Sequence, residues 1–198
     1  AYSDAAEISK YAKGYIGGMT AAGILHGSNG KCSPKSNIPR AEVITVVDNA
    51  IGDIVDKAGE YQKDSEKSVI VNAEHSVVIK GKSKLGTVLV NRRDGKLRVA
   101  VEDGAEVEII TVEDGSDDVR IEGEVGTLIV ENTEAAVEVA GSAGMVEVPE
   151  TAAGAQVKVA EGASVGTLNV AAPKTNVEVS GSVSSLTVQE TAESAAVT

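Results

Sequence analysis

Residues 126–148 read GTLIVENTEAAVEVAGSAGMVEV. Leu128 and Val130, Val137 and Val139, and Val146 and Val148 sit at alternate positions of three short runs. Such alternation sends one side of an extended strand inward and the other outward. The first run, Gly126-Thr127-Leu128-Ile129-Val130, returns as Gly144-Met145-Val146-Glu147-Val148, and between them lies a Val-x-Val run followed by Gly141. Outward from this stretch, the same two runs alternate from residue 68 to residue 188. Aligning Ile70, Val88, Ile110, Leu128, Val146, Leu168 and Leu186 gives steps of 18, 22, 18, 18, 22 and 18. The Val-x-Val pairs are Val77/Ile79, Val99/Val101, Val119/Ile121, Val137/Val139, Val157/Val159 and Val177/Val179.

A period near 20 with at least two strands per repeat predicts a β-solenoid, in which equivalent Val, Ile and Leu stack into ladders. Seven rungs spaced by about 4.8 Å give a length of roughly 34 Å. Gly86, Gly126, Gly144 and Gly166 are expected at corners, where a Cβ is costly. An antiparallel β-sandwich is the competing fold. The strand at 185–188 stands near the end of the sequence, so we expect either further chain beyond it or a docking partner.

The 198 residues carry a net charge of -12, with 42% hydrophobic side chains, four Tyr, no Phe and no Trp. The core is therefore aliphatic. The acidic balance argues against a general nucleic-acid binder. No apolar run is long enough to span a membrane, and no leader is evident, so an export signal is expected to be absent or removed. Cys32 is the single cysteine, which excludes an intramolecular disulfide and a cysteine zinc cage. Residues 1–52 sum to +1 and residues 53–198 to -13. Met19, the Cys and three of the four Tyr fall in the first part, and Met145 in the second. We read an α+β chain of two domains: a helix-loop-helix over 1–55, a linker over 56–67, and a parallel solenoid of about seven rungs over 68–198.

In the first domain Ile8, Tyr11, Ala12, Tyr15, Ile16 and Met19 have amphipathic helical spacing. Gly14, Gly17 and Gly18 weaken that helix and imply close approach of another backbone. Gly23 is a helix stop. A turn-rich loop over 27–37 leads to a second helix near Pro39, with Val43, Val46, Val47, Ala50, Ile51, Ile54 and Val55 on its apolar side.

Tyr2-Ser3-Asp4, Tyr11-Ala12-Lys13-Gly14-Tyr15-Ile16, Ala21-Ala22-Gly23-Ile24-Leu25-His26-Gly27, Asn29-Gly30, Pro34 and Pro39-Arg40-Ala41-Glu42 follow one another in an order that resembles the S-layer homology (SLH) domain. The resemblance covers about residues 1–55. It implies a bacterial surface protein held by a wall-linked polysaccharide, often pyruvylated. It also implies a ligand groove lined by Arg40, with Glu42, Tyr11, Asp4 and Gly30 as the accompanying positions. A guanidinium suits a pyruvate-ketal carboxylate, because two parallel charge-assisted bonds can form. Pro39 stands where the family usually has Thr, Cys32 where it has Phe, and Tyr11 where it often has Trp. The family usually works with three such domains, so trimerisation, or sister domains outside this stretch, is expected. The repeats are similar to valine-rich repeats that accompany SLH domains.

Two charge clusters remain. Lys80, Lys82, Lys84, Arg92, Arg93, Lys96 and Arg98 precede Glu102, Asp103, Glu106, Glu108, Glu113, Asp114, Asp117, Asp118, Glu122 and Glu124. Their expected role is a solvated face, with head-to-tail packing or calcium in the acidic turns as alternatives. His26 and His75 lie in different domains, and Cys32 has no base near it in sequence. The resulting expectation is a non-catalytic, extracellular wall-bound protein with no cofactor and no metal, whose solenoid is a stalk, spacer or surface-layer element. Its expected partners are wall polysaccharide and either further copies of itself or other surface proteins, with no nucleic acid and no membrane insertion. The alternatives are an adhesin or assembly module and a carbohydrate-active β-helix enzyme.

Overall fold

A computed structural model describes residues 2–65, 68–91 and 94–198. Arg92 and Arg93 of the basic cluster lie outside the described residues. The chain divides into two compact units, Ala1–Asp53 and Ile54–Thr198.

The larger unit is a parallel β-solenoid of about seven turns. Its strands in chain order are β1 (Asp53–Val55), β2 (Gly59–Tyr61), β3 (Asp64–Ser65), β4 (Val69–Val71), β5 (His75–Ile79), β6 (Lys84–Asn91), β7 (Leu97–Val101), β8 (Glu106–Asp114) and β9 (Val119–Glu122). They continue as β10 (Glu124–Val130), β11 (Ala136–Val139), β12 (Ser142–Val148), β13 (Gln156–Val159), β14 (Ser164–Val170), β15 (Asn176–Val179), β16 (Ser182–Val188) and β17 (Ala196–Val197). One sheet runs β1-β4-β6-β8-β10-β12-β14-β16, with β3 also on β6, and the other runs β2-β5-β7-β9-β11-β13-β15-β17. The antiparallel sandwich is thereby replaced by parallel ladders, as in β10 on β8 and β13 on β11.

The registers explain the valine spacing. Val88, Ile110, Leu128, Val146, Leu168 and Leu186 lie in one column. Its first member is Val69, not Ile70. In a strand the side-chain period is two, so this one-residue difference turns Ile70 outward and seats Val69 and Val71 in the core. In the second sheet Leu97, Val119, Val137, Val157, Val177 and Val197 form a column. Val119 and Ile121 therefore align with Leu97 and Val99, two residues back from the pairing suggested by the repeated Val-x-Val. A two-residue shift keeps the same face, so the core is preserved.

Gly126, Gly144 and Gly166 lie inside strands rather than in loops. In β10, Val125, Leu128 and Val130 are buried, so two consecutive residues, Gly126 and Thr127, point away from the core. The strand bends there. The pairing of β10 with β12 skips the glycines, and a Cβ on Gly144 would lie 2.7 Å from the Gly126 carbonyl oxygen. Successive backbones leave no room for a side chain at this bend. Gly141 is tighter still, its Cβ meeting Gly123 O at 2.1 Å and Gly123 N at 2.4 Å.

The smaller unit holds a short 3-10 turn, Ala5–Glu7, and two helices, α1 (Ala12–Ala21) and α2 (Arg40–Ile51). Helix α1 starts later than the apolar spacing from Ile8 suggests, because Ile8, at φ -72° and ψ 125°, is extended backbone after the 3-10 turn. It ends in a Schellman arrangement: Gly23 N–H donates to Thr20 O and Ile24 N–H to Met19 O, with Gly23 at φ 70°. Pro39 is the residue before α2, not its first turn, and its carbonyl accepts Val43 N–H. Gly52, at φ 74°, ends α2, so Ile54 and Val55 belong to β1 instead of extending the helix face. Neither helix buries a residue: Tyr11 is 82% and Tyr15 is 76% exposed. Among the described residues, nothing outside the helix's own backbone lies within 4 Å of a Cβ at Gly14, Gly17 or Gly18, so they do not supply the close backbone expected there.

The glycines thus separate into two kinds. Gly141→Ala is expected to destabilise the solenoid by about 1–3 kcal/mol through forced overpacking. Gly14→Ala, on an open helix surface, is expected to stabilise α1 by up to about 1 kcal/mol. Chemical denaturation of the two variants checks both signs.

Candidate functional site

The first unit is organised by its N-terminal residues. Tyr2 OH donates to Leu25 O at 3.0 Å and lies 3.0 Å from Thr20 Oγ1. Ser3 N–H donates to Gly30 O at 2.8 Å. Asp4 receives Cys32 N–H on Oδ1 at 2.9 Å and Ser33 N–H on Oδ2 at 2.7 Å. These bonds hold the carboxyl of Asp4 below its ordinary value, the Cys32 N–H contributing most. The loop itself closes through Ser28 and Lys31, which exchange two 2.9 Å backbone bonds across Asn29-Gly30. Asn29 at φ 48° and Gly30 at φ 71° give the tight turn that an Asn-Gly pair favours.

Between this loop and α2 lies a cleft of about 660 Å³. His26, Lys31, Cys32, Glu42, Thr45 and Asn49 are among its lining residues, with Ser28, Ser33 and Ser36 adding hydroxyls. Asn49 Nδ2 donates to Ile24 O at 3.3 Å and ties α2 to the loop. The lining offers hydrogen-bond donors and acceptors, a lysine ammonium and a carboxylate beside aliphatic Ile24, Leu25 and Val46. That mixture suits a hydroxylated, partly anionic ligand.

Of the five positions that the sequence singles out, Glu42 lines the cleft. Asp4 acts from behind it as a clamp on the loop backbone. Gly30 forms the turn apex and accepts the Ser3 N–H. Arg40, the first residue of α2, stands between the cleft residues Pro39 and Glu42 but does not line the cleft. Tyr11 precedes α1 and is exposed away from the lining. Lys31, Thr45 and Asn49 were not legible as site residues, because no motif marks them. Thr45 and Asn49 share a helix face with Glu42 by i+3 and i+7 spacing, which is the signal that could have found them.

Burial, then the nearby Asp4 charge, pushes the Cys32 thiol up. Its thiolate is accordingly scarce at neutral pH, which disfavours nucleophilic use.

The charge clusters of the solenoid pair with each other from rung to rung. Lys80 Nζ donates to Glu102 at 2.7 Å and to Glu60 at 3.3 Å, while Lys84 and Glu106 are 3.3 Å apart. Arg98 Nε donates to Glu122 Oε2 at 2.9 Å, Arg120 Nε to Glu122 Oε1 at 2.9 Å, and Arg120 Nη1 lies 2.6 Å from Glu138. Hydrogen bonds from Arg98 and then Arg120 lower the Glu122 carboxyl, and the Lys80 bond leads in lowering Glu102. The acidic turns brace backbone: Asp117 accepts Gly95 N–H at 3.0 Å and Asp118 accepts Ala136 N–H at 3.2 Å. Among the described residues no three His, Cys, Asp or Glu side chains converge as a metal site. No helix among them is long and apolar enough to cross a membrane.

Compared with family models, with curated proteins and with solved structures, the chain finds no match in any of the three.

Two outcomes follow from this electrostatic arrangement. Glu122 has a folded value below its ordinary 4.5, so its stabilising effect is full above that pH and is lost as the pH falls through the folded value. Glu122→Gln should lower stability at pH 7 by about 1 kcal/mol, as for partly exposed pairs. The difference from wild type should shrink as the pH is lowered below 4.5, read by denaturant melts at each pH. In the first unit, Asp4→Ala should raise the rate of Cys32 alkylation at pH 8, because both the neighbouring charge and the loop clamp disappear; an unchanged rate would contradict the clamp.

Proposed function

We propose that the chain is a non-catalytic bacterial cell-surface protein, in which the SLH-like unit binds wall polysaccharide and the solenoid serves as a stalk, spacer or surface-layer element. The carrying observation is that the loop between the two motif-bearing helices forms, with α2, a hydroxyl- and charge-lined cleft, the loop backbone being tied at Cys32 and Ser33 to Asp4. A glycan carrying a carboxylate would find the Lys31 ammonium and the hydroxyls of Ser28, Ser33 and Thr45 there, and a longer glycan would reach Arg40, which stands outside the lining at the start of α2. The solenoid complements that role: its interior columns are aliphatic, and several of its surface charges are engaged in ties between rungs. The extracellular location and the polysaccharide partner belong to this same reading.

A second reading, an adhesin or assembly module, is favoured by the exposed apolar residues Tyr11, Tyr15, Val43, Ile44 and Val47 on the helices. Isolated Gram-positive sacculi, intact or chemically stripped of secondary polymer, separate the two. The wall reading expects pelleting only with intact sacculi, and a loss of at least tenfold in Arg40→Ala and Lys31→Ala. Equal pelleting of wild type and both variants would sink the groove assignment and favour assembly through the apolar helix faces.

A further inference from the structure

The turn that closes the cleft loop carries chemistry of its own. Of the eight asparagines, Asn29 is the one followed by a glycine. Both residues are exposed, and Asn29 at φ 48° with Gly30 at φ 71° has the two positive φ angles of a type I′ turn. Among the described residues, the Gly30 N–H, the Asn29 carbonyl and the Asn29 carboxamide have no hydrogen-bond partner.

The flanking groups are held instead. Ser28 and Lys31 exchange two 2.9 Å backbone bonds, and Gly30 O accepts Ser3 N–H at 2.8 Å and Ser3 Oγ at 3.2 Å. The Asn29–Gly30 peptide is therefore free to flip while its anchors stay in place. A flip converts type I′ into type II′, which keeps φ positive at Asn29 and takes its ψ to about -120°. The Gly30 nitrogen then lies on the side of the Asn29 Cβ, within reach of the carboxamide carbon. Glycine brings no Cβ to hinder that approach, and nothing lies within 4 Å of the place a Gly30 Cβ would take.

We propose that Asn29 is a site of spontaneous deamidation, and that its conversion loosens the loop lining the cleft. Gly30 N bonds to Asn29 Cγ. Its proton passes through water to the side-chain nitrogen, which leaves as ammonia, and a five-membered succinimide closes. Water then opens the ring. Attack at Cγ leaves aspartate, and attack at the main-chain carbonyl carbon leaves isoaspartate, in which the chain runs through Cβ and Cγ. Isoaspartate adds main-chain length to a two-residue turn. The Ser28–Lys31 pair and the Ser3–Gly30 bonds then no longer fit together, and these set the course of the loop into the cleft residues Lys31, Cys32 and Ser33. Asn132 makes the contrast: it is buried, donates to Gly115 O at 3.0 Å, accepts Glu134 N–H at 3.0 Å and precedes Thr133. The inference concerns the loop itself and does not depend on what the cleft binds.

Incubation of the intact chain at mildly alkaline pH, followed by peptide mass spectrometry, tests the proposal. The expected product at residue 29 is an acid in place of the amide, as both aspartate and isoaspartate, while Asn132 stays an amide. Hydroxylamine, which attacks a succinimide, should cut the incubating chain between Asn29 and Gly30. The rate of Cys32 alkylation should rise severalfold as conversion proceeds. Asn29→Gly keeps positive φ accessible in the turn and removes the carboxamide, so its Cys32 rate should stay constant over the same incubation. An Asn29 amide that persists in the folded chain, while the same residue converts in guanidinium, would overturn the site, because the turn would then protect it. Conversion with an unchanged Cys32 rate would overturn the loosening of the loop. So would an equal rise in Asn29→Gly, because the cause would then lie elsewhere.

Discussion

The rung-on-rung backbone ladder is the constraint from which the larger unit follows. Each parallel strand can satisfy its amide groups only by lying one strand spacing from the turn before it. Once that spacing is imposed, every side chain has an equivalent directly above and below. Inward positions then become columns, and a column accepts only side chains that tolerate copies of themselves at close range. Val, Ile and Leu do so, and β-branched side chains also suit extended backbone. The same constraint explains the glycines at the bend, where a second backbone occupies the place of a Cβ. It explains the charges as well: basic residues of one rung lie over acidic residues of the next, as Lys80 does over Glu102 and Lys84 over Glu106, while Arg98, which lies over Arg120, reaches Glu122 diagonally.

The first unit obeys a different logic. It has little interior, Ile8 being its buried hydrophobic residue, and it is held by polar ties from the N-terminal segment to the loop. Tyr2, Ser3 and Asp4 each reach a backbone group more than twenty residues away. Hydrogen bonds of this sort specify a loop conformation more than they supply large net stability. Its helices keep apolar stripes facing solvent, so their amphipathic spacing does not by itself identify a packed partner.

Much of the solenoid was legible in the sequence because repetition multiplies a weak signal. A single Val-x-Val run is ambiguous, but seven aligned runs with steps of 18 and 22 residues leave few folds open. The failures occurred where repetition gave no purchase. Val69-Ile70-Val71 is apolar at all three positions, so its phase could not be read, and the true step to Val88 is 19 residues. Leu97 broke the Val-x-Val pattern yet occupies the same column as Val119. In the helical part, Ile54 and Val55 extend the apolar period of α2 by coincidence, while Gly52 terminates it. The cleft was the least legible part. Its walls come from segments separated in sequence, and the role of Asp4 depends on two amide groups 28 and 29 residues away.

The aliphatic columns also make the solenoid optically quiet. Of the four tyrosines, Tyr2, Tyr11 and Tyr15 belong to the first unit and Tyr61 alone to the second, with no tryptophan anywhere. Tyrosine emission and near-ultraviolet dichroism therefore report chiefly on the helical unit, while the far-ultraviolet β signal reports chiefly on the ladders. The composition that lets the columns stack has labelled the two halves separately, and their unfolding can be followed in one sample without an added dye.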